Sequence, residues 1–299
     1  MIELTSKKDI EKISFELLKS SKSLDVFPTP VDKIIAYSNL LVKNDIDISK
    51  IHRGYLSRTS DALRRAISKV RGLLDRQEKT IYLDLSQTFN RQNFVKLHEC
   101  GHDALPWQRH FHDVLEDDDD SLDISYHEEF EVEANYFATI TLFQHDRFLE
   151  ELQKVNLSIE AAMHLGKYFG ASVQASLRRF VECSKNRCGL IVLENISPAG
   201  AKPECSLRNA FFSQKFLDTF GIIDLPVTMG YKWPFVKDYY HNRRFKKDGK
   251  VTLKTKNGDV EFNYEFFNNY YKGLVFIYPV GEKKSSKTKI IITDSTIKL

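Results

Sequence analysis

Hydrophobic positions change their spacing near residue 188, and the change divides the chain into a helical part and a strand-rich part. Ile10, Ile13, Leu17 and Leu18 recur at helical intervals and predict a helix over 8–20. Phe27-Pro28-Thr29-Pro30 breaks the pattern. Thr29 is placed to cap a new helix that starts at Pro30 and runs through Ile34, Ile35 and Leu40. Leu63, Ala66, Ile67, Val70 and Leu74 predict another helix over 59–76. Ile81 to Leu85 reads as a short strand, and Gln92 to Asp103 as a helix halted by Pro106. A long helix follows from about His127 to His145, with two more at 158–169 and 172–183. From Cys188 onward the pattern is that of strands. Gly189 to Leu193 is an apolar run and Asn195 to Ser206 a loop. Asn257-Gly258 is the turn between strands at 250–255 and 260–264, and 273–278 and 289–293 complete the sheet. The fold class is therefore α+β: a mainly helical domain with a short sheet at 1–185, then a strand-rich α+β domain at 186–299.

Composition narrows the function classes. With 42% hydrophobic and 28% charged residues, the chain is neither disordered nor collagen-like. No stretch reaches the roughly 18 apolar residues of a membrane span. The N-terminus alternates charged and apolar residues and has no signal-peptide core. Four cysteines over 299 residues are no disulfide framework, so a cytoplasmic protein without a membrane partner is expected. The net charge of +3 hides an asymmetry: residues 1–185 carry 25 Lys/Arg against 30 Asp/Glu, and residues 186–299 carry 19 against 11. The basic half suggests a second functional unit with an anionic ligand. Glu116 to Asp120 are five adjacent acids. Their spacing is not that of an EF-hand, and they read as a solvated loop.

The sharpest chemistry is His98-Glu99-Cys100-Gly101-His102. Positions i and i+4 share one face of a helix, so two imidazoles one turn apart can grip one metal ion. Glu99 is turned aside from them, where it can take a proton from a metal-bound water as general base. Random placement of these residue types gives roughly 0.02 such motifs per chain, so the surroundings decide. A zinc site of this kind needs a third protein ligand. The best candidate is Glu131, with Glu128 and Glu133 as competitors; the plain alternative for Glu133 is solvent exposure. Asn135 shares a face with Glu131 and could hydrogen-bond a ligating histidine. His127, His112 and Tyr136 are candidate donors to the oxyanion of a tetrahedral intermediate. His110 and His112 read more simply as surface residues, and Cys100 as core. Cys205 lies in a loop stiffened by Pro198 and Pro203, where its thiolate could occupy the fourth metal position and inhibit the site. Zn2+ is the expected cofactor, and Mn2+ can replace it at such ligands.

The motif His98-Glu99-Cys100-Gly101-His102, followed by Glu131-Val132-Glu133-Ala134-Asn135-Tyr136-Phe137-Ala138, resembles the H-E-x-G-H and E-x-x-A-N-x-F-A of the ImmA/IrrE metallo-endopeptidases. Pro28 to Ile34, Asn90 to Phe94, Tyr168 to Ser172 and Leu177 to Phe180 agree with weaker parts of that pattern, so the resemblance spans about residues 25–182. It implies a zincin-like protease domain in which His98, His102 and Glu131 hold the zinc and Glu99 is the base. It also implies a narrow substrate, a helix-turn-helix transcriptional repressor whose cleavage derepresses stress, mobile-element or defence genes. Thr139 to His145 departs from the family's leucine-rich segment, which puts the shape of the substrate groove in question. Some relatives carry a GAF-like sensor domain, similar in length and strand content to 186–299.

In that second part, Arg243, Arg244, Lys246 and Lys247 lie among Tyr239, Tyr240 and Phe245. Cations that track phosphates and aromatics that stack bases suit single-stranded DNA, a candidate activator released by DNA damage. A basic turn beside core aromatics is the simpler reading. The alternative to a protease is a non-catalytic metal-binding regulator that holds a repressor or nucleic acid without cutting. Glu99 speaks against it, because a structural metal site needs no general base. A broad nutritional peptidase fits poorly with the sensor-like second domain.

Overall fold

Ile10 and Leu18 are fully buried along one face of the first helix, α1 (Lys7–Ser20). The computed structural model describes residues 4–47, 72–109 and 124–282, and the side chains of 44–47 and 124–127 lie outside that description. Packing separates the described residues into two compact units. One comprises those up to Phe148 together with Lys167–Ser172. The other comprises Leu149–Gly166 and those from Val173 onward.

The first unit is helical around a small sheet. It contains α1, α2 (Val31–Tyr37), β1 (Leu41–Asp47), β2 (Gly72–Asp75), β3 (Thr80–Leu83), α3 (Phe89–Ala104) and α4 (Ile124–Leu142). The strand order is β1-β3-β2, with β1 parallel and β2 antiparallel to β3. α3 packs against α4, α2 and both β2 and β3, so Val95 through Gly101 are all buried. α4 lays Phe130, Ile140 and Leu142 into the interior and turns Glu128 and Asn135 to solvent. Its Ala134, Phe137 and Ala138 are fully buried. Ser14 of α1 meets Thr141 of α4 through a 2.7 Å hydroxyl contact.

Two details correct the expected boundaries here. Thr29 does not cap α2; its hydroxyl donates to the Leu142 carbonyl at 2.8 Å, and Pro30 occupies the cap position. The helix expected over 59–76 falls mostly outside the described residues, and 72–75 form β2 instead. The acidic run Glu116 to Asp120 and the strand expected at 289–293 also lie outside them. Pro106 does halt α3: Leu105 takes an extended conformation, as residues before proline do, and a further helical turn starts at Pro106 and covers 106–109.

The second unit is built on a six-stranded antiparallel sheet of order β6-β5-β4-β9-β8-β7. Its strands are β4 (Gly189–Glu194), β5 (Glu204–Phe212), β6 (Thr228–Gly230), β7 (Phe245–Thr255), β8 (Gly258–Asn268) and β9 (Gly273–Pro279). α5 (Asp146–Leu152) and α6 (Ile159–Phe169) precede it. α7 (Val173–Cys183) packs on β4 and β5, and α8 (Gln214–Phe220) and α9 (Pro234–Tyr240) complete the unit. Phe216, Phe235, Phe262, Tyr264 and Ile277 are fully buried in its core. The loop expected to end at Ser206 ends three residues earlier, at Pro203, because β5 begins at Glu204. The hairpin turns at Lys256-Asn257, between the paired Thr255 and Gly258, and Gly258 supplies the left-handed φ of +91°.

Candidate metal centre

His98 and His102 leave one face of α3 a turn apart, with their ring centroids 4.7 Å from each other. Their Nε2 atoms are 3.1 Å apart. Glu131 comes from α4 and brings one carboxylate oxygen to 3.3 Å from each of them. The three ligand atoms all lie within 4.8 Å of one another. Two imidazole nitrogens and a carboxylate oxygen are a donor set that suits zinc and leaves further coordination positions open. Burial pushes the Glu131 carboxyl up, but hydrogen bonds from His102 and His98 and their charges outweigh it and hold the group well below the usual carboxylate range.

The approach of the two helices depends on Gly101. A Cβ there would stand 3.0 Å from the Phe137 ring and 3.4 Å from the Ala134 backbone. The motif's glycine therefore lets α4 come close enough for Glu131 to reach both histidines.

Glu99 lies against β2. A Cβ on Gly72 would lie 3.1 Å from its Oε1. The carboxyl is 4% exposed, and Oε1 has no hydrogen-bond partner among the described residues. Burial pushes Glu99 up to about 7; the charge of His102 opposes this, that of Glu131 adds to it, and Arg76 and the Leu74 N–H oppose it. A carboxyl poised near neutrality can both take and give a proton, as a general base that later acts as acid requires.

The other expected site residues fall out differently. Asn135 is exposed and its amide donates to the Glu131 carbonyl at 2.7 Å, one turn back on its own helix, so it does not reach a histidine. That position belongs to Gln108, whose Oε1 is 2.8 Å from His102 Nδ1. The Gln108 Nε2 in turn donates to Glu133 at 2.7 Å. Glu133 is 3% exposed, contrary to the solvent-exposed reading. Glu128 is exposed and outside the ligand cluster. Tyr136 gives its hydroxyl to Glu11 at 2.5 Å, which turns it toward α1 and not to the role of oxyanion donor. The side chains of His127 and His112 lie outside the described residues. Cys100 is fully buried, as expected.

Cys205 is not on an open loop. It lies in β5, paired with Met229, 2% exposed inside the core of the second unit. Burial, with a smaller contribution from Glu204, pushes its thiol up to about 12. An enclosed, protonated thiol in the core of the second unit does not serve as a metal inhibitor.

The basic cluster is largely engaged within the protein. Arg243 and Lys246 reach Asp238 at 3.2 and 3.5 Å. Lys247 pairs with Glu160 at 2.7 Å, both exposed. Arg244 donates to the Asn268 carbonyl and lies over the rings of Phe267 and Tyr270. Tyr239 is buried in the core, and the Tyr240 hydroxyl is held by Ala201 and Gly200.

Two helix-borne histidines, a glutamate from a second helix and a buried glutamate beside them are an arrangement of the kind that metallopeptidases use. Residues 62–181 match the family model of the IrrE N-terminal-like domain, as the motifs had implied. No curated protein matched the sequence. Among solved structures, a Mycobacterium tuberculosis transcriptional regulator is similar in fold, with a TM-score of 0.50 and 10% identity over 90% of this chain and 75% of that one. Among the described residues no helix is long and apolar enough to cross a membrane.

Proposed function

We propose that the chain is a zinc-dependent endopeptidase that cuts a helix-turn-helix transcriptional repressor at a specific site, with the strand-rich unit serving regulation. The observation that carries this reading is the convergence of His98, His102 and Glu131 next to a buried Glu99 that has an unpartnered oxygen. Zinc, when bound, supplies Lewis acidity toward the scissile carbonyl and lowers the pKa of a coordinated water to about 7.

The chain's own groups supply the rest. His98 and His102 would present Nε2 to the metal, and Glu131 would add one carboxylate oxygen. Glu99 would accept the proton of the attacking water at its unpartnered Oε1 and deliver it to the leaving amine. Its seat against β2 keeps it from relaxing into bulk solvent. A family match and a regulator among the similar folds support a regulatory substrate over a nutritional one.

The test pairs the purified chain with helix-turn-helix proteins encoded near its gene, followed by intact-mass spectrometry. Wild type is expected to make a single cut. Glu99→Gln should slow it about 10²–10⁴-fold while still binding metal and partner. Capture of the partner without a cut by metal-loaded wild type would favour the non-catalytic regulator. Single-stranded DNA is added in a parallel arm. The internal pairing of Arg243, Arg244 and Lys246 argues against DNA as the trigger, and a salt-sensitive rise in cleavage would reinstate it.

A further inference from the structure

Gln108 and Glu133 take no part in the ligand set or the proton transfer, yet both are buried against it. Gln108 is fully buried. Its Oε1 faces His102 Nδ1 at 2.8 Å, and its Nε2 donates to Glu133 at 2.7 Å and to the Phe130 carbonyl at 3.2 Å. Glu133 is itself fixed from two other sides. Trp107 Nε1 donates to it at 2.7 Å, and the Ser6 hydroxyl donates to its other oxygen.

A primary amide has two ends of similar shape and opposite hydrogen-bonding character. Turned over, Gln108 would set its oxygen against a carboxylate and a carbonyl, which are both acceptors. Glu133 therefore decides which end faces the imidazole. With the oxygen toward the ring, His102 carries its proton on Nδ1 and keeps the Nε2 lone pair for the site. With the nitrogen toward the ring, Nδ1 would become the acceptor and Nε2 would hold the proton, which bars it from a metal. Among the described residues His98 has no such partner at its buried Nδ1.

We infer that Gln108 and Glu133 form a positioning pair in which Glu133 orients the Gln108 amide, and the amide fixes His102 in the metal-binding tautomer. The inference rests on the proposed metal site. It assigns a function to a buried acid two residues beyond the ligand Glu131. It also predicts that the two histidines differ, His102 being held in one tautomer and His98 not.

The experiment uses the full chain as wild type, Glu133→Met and Gln108→Met. Zinc affinity is measured by competition with a chromophoric chelator. Ring tautomers are read in the metal-free protein from long-range proton–nitrogen NMR spectra. Each substitution is expected to weaken zinc binding about 10–100-fold. In Glu133→Met, which removes the acceptor that orients the amide, His102 should become a mixture of tautomers. Variants within about twofold of wild-type affinity, or an unchanged His102 tautomer in Glu133→Met, would each overturn the pair. If wild type takes up no zinc, the metal reading fails, and the metal-free spectra still decide whether Glu133 sets the tautomer.

Discussion

Glu99 and Cys205 show how burial acts on single ionisable groups with opposite consequences. In both, removal from water raises the pKa. Glu99 arrives near neutrality, where a carboxyl is useful for proton transfer. Cys205, Cys100 and Cys188 are each pushed to about 12 and kept as neutral thiols. A thiol with that pKa is ionised to about one part in ten thousand at pH 8, and the thiolate is the nucleophile. Alkylation of the native protein with iodoacetamide at pH 8 is therefore expected to label the half-buried Cys183 and spare the other three, as peptide mass mapping would show. Rapid labelling of Cys205 would mean that β5 opens to solvent. The ligand residues were legible because helical geometry ties the i and i+4 histidines to one face. Gln108 was not, because it returns to His102 across an interruption of the helix at Leu105-Pro106 that no spacing rule describes. Glu133 was not either: its spacing from Glu131 puts it on another face of α4, and only the fold shows that this face is buried.

At the scale of elements, the contact of α3 with α4 sets the metal geometry, and Gly101 sets that contact. Gly101→Ala puts a methyl 3.0 Å from the Phe137 ring, which is itself fully buried. The helices must separate or the ring must turn, at an expected cost of about 1–3 kcal/mol. Calorimetry should show a lower Tm. Zinc affinity should fall with it, since Glu131 rides on the displaced helix; unchanged affinity would show that Glu131 reaches the site independently of this packing. The helices were readable from their periodicity, and α1, α3 and α4 stand within a few residues of where it put them. β5 was missed in part because most of its residues are half-exposed, so no apolar alternation announces its start. β2 was taken for the end of a helix because a four-residue strand is too short for its period to outweigh a longer helical pattern.

Across the whole molecule, the break in hydrophobic pattern at residue 188 does not coincide with the limits of compact packing. α7 was read with the helical half, yet its buried Leu177, Phe180 and Val181 belong to the unit of the second sheet. Phe180 meets Phe276 of β9 edge-on at 5.8 Å. A fragment ending at residue 185 would therefore strip that helix of its apolar cover. It is expected to bind a hydrophobic dye and aggregate, where the full chain stays monodisperse in light scattering. A soluble fragment with a sharp thermal transition would establish the sequence boundary as a true domain boundary. Sequence pattern reports local conformation, and α7 is as helical as its neighbours; only long-range packing says which sheet it covers.

The short interruption at Leu105-Pro106 has a bearing on attempts to transplant this site. In an uninterrupted α3, residue 108 would lie about 9 Å beyond His102 along the axis and could not turn back to its ring. The bend returns the chain so that Gln108 meets His102 and Trp107 meets Glu133. A designer who grafts the five-residue motif and a facing glutamate onto a straight helical scaffold would copy the ligands and lose the tautomer control. The portable unit is longer than its signature and includes the proline.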